Sequence, residues 1–82
     1  MATKTGPRTL DEAHADKLSR LPRGPVSSAE KLLWHKENMR MYQEVAEIDT
    51  RHHYEALSCA FVESLRIAEL EQSKNGAEAG KE

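Results

Sequence analysis

The sequence predicts an all-α protein, and two observations carry that prediction. From Val26 to Asn75 the chain contains neither Gly nor Pro and is rich in Glu, Leu, Ala, Met, Lys and Arg, residues that favour helix. Two short stretches, "TLDE" at Thr9–Glu12 and "SSAE" at Ser27–Glu30, also have the spacing by which a hydroxyl and a Glu close a helix N-terminus reciprocally. The expected architecture is a short N-terminal helix followed by a long helical region, bent or split into two helices near Asp49–His53. The helices would pack as a small bundle or as a helical oligomer.

Each element follows from local chemistry. Residues 1–8 are small and polar, with Gly6-Pro7 among them, and read as a flexible arm. A single helical domain is expected over residues 9–75. Thr9 caps the first helix, and Leu10, Ala13, Leu18 and Leu21 recur at near-helical spacing, so the helix should run from Thr9 to Leu21. "PRGP" at Pro22–Pro25 stops it, because proline has no N–H to donate and its ring clashes with the preceding turn. The second cap then opens the long region at Ser27. "KNG" at Lys74–Gly76 supplies a cation, Asn and Gly, the usual dress of a helix C-terminus, and residues 76–82 read as a flexible tail.

Periodicity places a switch in the middle of the long region. At about 100° per residue, Leu32, Trp34, Met39, Met41, Tyr42, Val45, Ala46 and Ile48 occupy one broad sector. Tyr54, Leu57, Phe61, Leu65 and Ala68 form a narrower stripe turned by about 130° from it. A continuous coiled-coil seam drifts only about 20° per heptad. The change falls on "DTRHH", Asp49–His53, where Asp49 or Thr50 could cap a new helix. The charges are also uneven. Eight basic residues face five acidic ones up to Gln43, and four face nine from Glu44 onward. An antiparallel arrangement, within the chain or between chains, would bring the two halves into register.

Several function classes lose support. Asp49, His52 and His53 lack the third ligand and the spacing of a zinc site. They read as solvated residues with Glu47–Arg51 and Arg51–Glu55 pairs. Cys59 lies in the apolar "LSCAFV", the setting of an inert buried thiol, and a single cysteine makes no internal disulfide. No phosphate-binding loop, dinucleotide fingerprint or nucleophile elbow is present. No metal or other cofactor, and no enzymatic activity, is therefore expected. The formal net charge of −2 exerts no pull on nucleic acid or anionic membrane. No apolar run reaches membrane-spanning length, and the N-terminus lacks an apolar signal segment. The cytoplasm is the expected compartment.

What remains is protein–protein interaction. The broad sector is wider than one neighbouring helix covers, so Trp34, Met41, Val45 and Ile48 are expected at its uncovered edge, as anchors for a partner's groove, with Phe61 in the core. The expected function is a small regulator or adaptor that masks a surface of a larger protein, such as a transcription or secretion component. A self-associating structural subunit, a homodimer included, and a small nucleic-acid-binding protein are the alternatives.

Overall fold

The computed structural model describes residues 6–80 and shows an all-α fold. Its elements are α1 (Leu10–Ser19), α2 (Ser28–Ile48), a 3-10 turn (Thr50–His52) and α3 (His53–Gly80). The expected arm lies outside the described residues up to residue 5, and the expected tail does so at residues 81–82.

Both caps form, in different ways. At α2 the box is complete: the Glu30 N–H donates to Ser27 Oγ and the Ser27 N–H donates to Glu30 Oε1, both at 3.1 Å. At α1 the Glu12 N–H donates to Thr9 Oγ1 at 3.1 Å, but the Glu12 carboxylate accepts from the Arg8 N–H at 2.8 Å. The return bond thus lands one residue upstream of the usual place. Helix α1 ends at Ser19, ahead of Leu21, and the Leu21 N–H donates to the Leu18 carbonyl at 3.2 Å. Gly24, at φ +70°, turns the chain between the prolines, a left-handed conformation that costs a residue without a Cβ little.

The long region is two helices. Helix α2 stops at Ile48, and α3 returns along it. Ala46 meets His53 and His35 meets Glu63, so contacts move down α2 as they move up α3. The pair is an antiparallel hairpin. The Lys36–Glu71 pair, 3.7 Å apart, realises part of the charge complementarity seen in the sequence. At the other end α3 continues through Lys74–Gly76 to Gly80. One interior Gly costs a helix only about 1 kcal/mol, and the following Ala77, Glu78 and Ala79 favour continuation.

Helix α1 lies across the hairpin. The Trp34 indole N–H donates to the Lys17 carbonyl at 3.3 Å, and Arg20 donates to Asn38 Oδ1 at 2.8 Å. The core is small: Ala13, Met41, Tyr42, Val45, Ala46, Ala56 and Ala60, with Leu10, Met39 and Cys59 packed against it. Helix α2 supplies its large side chains, whereas α3 supplies alanines. The molecule measures 50 × 26 × 19 Å. Its smallest extent is about two helix diameters, so among the described residues no third layer covers the outward side of a helix.

Candidate interaction surface

The polar stretch at the hairpin is a structural joint. Asp49 N–H closes the last turn of α2 on the Val45 carbonyl at 2.7 Å. Its carboxylate Oδ2 accepts from the Leu10 N–H and from His52 Nδ1, both at 2.9 Å. Those two donors hold the Asp49 carboxyl below its ordinary range. Leu10 is the first residue of α1, so an acid from the hairpin satisfies one of the orphan donors at another helix's N-terminus. His53 Nδ1 donates to the Ala46 carbonyl at 2.8 Å, satisfying an acceptor near the end of α2. Among the described residues, it is His52 that faces the acids here, Nδ1 2.9 Å from Asp49 Oδ2 and Nε2 3.9 Å from Glu55 Oε1, in place of the expected Glu47–Arg51 and Arg51–Glu55 pairs. The 3-10 turn interrupts the helix, and the four-residue spacing that those pairs need is lost.

A second polar cluster lies between all three helices. Glu63 is buried, with Lys17 Nζ 2.8 Å from Oε2 and His35 Nδ1 2.6 Å from Oε1. Burial pushes the Glu63 carboxyl up, but Lys17 and His35 outweigh it and hold the group below its ordinary range. The Lys17 ammonium also lies over the Trp34 and Tyr42 rings, 5.6 and 5.9 Å from their centroids. Burial pushes the Tyr42 hydroxyl up to about 12, and the hydroxyl hydrogen-bonds His14 Nδ1 at 2.7 Å. Burial raises the Cys59 thiol too, against the lowering pull of Lys17, so the thiol stays protonated and weakly nucleophilic at neutral pH. Each charged group here is matched by a neighbour from another helix. Such a cluster ties the three helices to one another. Sequence reasoning did not single out Glu63. Its signal is an acid on the Ala56–Ala60 side of α3, facing away from the Tyr54–Phe61 stripe.

The residues expected to face a partner divide. Met41 and Val45 are buried in the core, Trp34 is half-buried against α1, and Ile48 is exposed. The expected uncovered edge is therefore corrected: α1 and α3 together cover Met41 and Val45 and half-cover Trp34, leaving Ile48 exposed. The expectation for Phe61 is reversed as well. Phe61 is 63% exposed and Tyr54 80%, with Leu57, Val62 and Leu65 exposed beside them. Helix α3 presents Ala56, Ala60, Cys59 and Glu63 to the hairpin, with Ile67 and Leu70 half-buried farther along, and turns Tyr54, Leu57, Phe61, Val62 and Leu65 outward. Tyr54 and Phe61 alone leave on the order of 250 Å² uncovered. With Leu57, Val62 and Leu65 they form a contiguous patch of the size that marks contact sites. A shallow groove of about 200 Å³, lined by Leu32, Leu33, Leu70 and their neighbours, lies farther along the hairpin.

Among the described residues, no group of three or more His, Cys, Asp or Glu side chains is placed to hold a metal ion, and no helix is long and apolar enough to cross a membrane. No family model matches the chain, and neither a curated protein nor a solved structure matches it.

Proposed function

We propose that this chain is a non-enzymatic protein–protein interaction module whose docking face is the outer side of α3. The observation that supports the reading is the arrangement of the first half of that helix, with Ala56, Ala60 and Glu63 inside and Tyr54, Leu57, Phe61, Val62 and Leu65 outside. Exposed apolar area is unfavourable by about 25 cal/mol per Å² relative to burial, so covering this patch releases free energy that the monomer leaves unused. The Trp34, Met41, Val45 and Ile48 edge is not carried forward as a binding site, because two of its four members are core.

A photo-cross-linking residue placed at Phe61 tests the reading in the cells that produce the protein. Glu44, exposed on α2, is the control position. Position 61 should yield discrete protein adducts and position 44 should not. Equal labelling at both, or none at either, would remove the docking face.

A further inference from the structure

We infer that the outer face of α3 is closed by a second copy of this chain, the two α3 helices running antiparallel about a two-fold axis beside Phe61. The inference rests on the reading of that face as the docking surface and names its occupant. Three features of the face select a copy of itself.

The first is the spacing of the apolar residues. Tyr54, Leu57, Phe61, Leu65 and Ala68 are separated by three, four, four and three residues, a pattern that reads the same in both directions. Reversed about Phe61, Leu57 meets Leu65, Tyr54 meets Ala68 and Phe61 meets its own copy. A two-fold interface must be self-complementary in this way. A large aromatic opposite an alanine also suits interdigitation.

The second is charge. Taking Phe61 as zero and about 100° per residue, Glu55 and Arg66 fall on one flank of the stripe, about 120–140° round α3. When two helices pack antiparallel about a two-fold axis, like flanks face each other. Glu55 and Arg66 lie six residues before Phe61 and five after it. Reversal therefore brings Glu55 of one copy near Arg66 of the other, two oppositely charged pairs in the dimer. A parallel pair would set this flank against the opposite one, where Ser64 and Glu71 lie, and would lose that match. The charges thus specify orientation as well as partner.

The third is the setting of the face. Helix α1 contacts α3 through Lys17 and Glu63, on the side away from Phe61, so a second α3 approaches without displacing it. The stripe runs over about 21 Å of helix. An interface of this length buries on the order of 1,000 Å² in total, the low end for specific association, so a micromolar dissociation constant is expected.

Sedimentation equilibrium of the full chain, from low micromolar to submillimolar concentration, reads the outcome. The mass should rise toward that of a dimer. Phe61→Glu should weaken the dimer by about 30-fold or more, as for a central hot spot. Leu65→Glu is the second variant, and circular dichroism confirms that each keeps its helix content. At low salt, Glu55→Arg and Arg66→Glu should each weaken association by about 2–10-fold, and the double exchange should restore it to within about twofold of the parent. A chain that stays monomeric throughout, a dimer indifferent to both Glu substitutions, or a double exchange weaker than either single one overturns the proposal. The cross-link at position 61 separates the two levels. Adducts to another protein from a monomeric chain overturn the second copy and leave the docking face standing, whereas adducts to the chain itself support both.

Discussion

Replacing Lys17 by methionine removes a cation and keeps most of the aliphatic stem that lies over Trp34 and Tyr42. The consequence falls on Glu63. Its side chain is only 3% exposed, while that of Lys17 is 30% exposed, so the two partners are unequal. Orphaning a fully buried charge costs about 3–5 kcal/mol. Here His35 remains on the other carboxylate oxygen, and water reaches the lysine end, so the expected cost is about 2 kcal/mol. For a domain of this size that lowers Tm by about 8–16 °C. Glu63→Gln should cost less, because the lysine it releases can turn to solvent, whereas the carboxylate released by Lys17→Met cannot. The double variant, Lys17→Met with Glu63→Leu, should recover at least half the loss, since an apolar replacement of a buried pair is often neutral. Thermal melts of the four proteins at neutral pH and submicromolar concentration provide the cycle. If Lys17→Met melts with the parent, or Glu63→Gln is the more damaging, Glu63 is not a buried anion held by Lys17.

Acid should act on the same cluster. The Glu63 carboxyl is depressed in the folded state from its ordinary 4.5, so the unfolded chain binds the proton first. The stability it contributes is full above that value and is lost as pH falls through the lower folded one. Asp49, depressed from 3.8, adds the same dependence lower down, so Tm should fall progressively below about pH 4.5, and less steeply in Glu63→Gln. The third expectation concerns the two faces. Met41→Ala should cost about 2–5 kcal/mol by denaturant unfolding, while Phe61→Ala in the dilute monomer should cost under about 1 kcal/mol, as surface changes do. Equal losses would place Phe61 in the core.

Local chemistry made much of the fold legible. The caps at Thr9 and Ser27 depend on residues three apart. The stop at Pro22–Pro25 depends on proline alone. The turn of the apolar face does fall at the break, Asp49–His53, but it arises because the α2 sector faces the core and the α3 stripe faces outward. What three-dimensional packing decides was not legible. Asp49 works less as the cap of a new helix than as the acceptor for Leu10, thirty-nine residues away. Glu63 is buried because Lys17 and His35 arrive from two other helices. Asn38 is buried because Arg20 reaches it. A helical wheel holds one helix, and each of these fates is set by another.

The arrangement of the first half of α3 has the same origin. Ranking helix faces by hydrophobicity favours bulk, and by that measure Phe61 and Leu65 belong inside. A hairpin ranks faces by fit. Beside Met41, Tyr42 and Val45 of α2, which fill the narrow core, α3 has room for Ala56, Ala60 and a paired Glu63, and only farther along do Ile67 and Leu70 become half-buried. In a monomeric bundle the large residues of α3 would then be surplus, and selection for solubility alone would favour polar ones. Their regular spacing over four helical turns, flanked by charges that match on reversal, is better explained by an assembled state than by the folding of one chain. The monomer's packing and the proposed dimer are therefore linked: the small face of α3 lets the hairpin close, and the large face is left for a second copy.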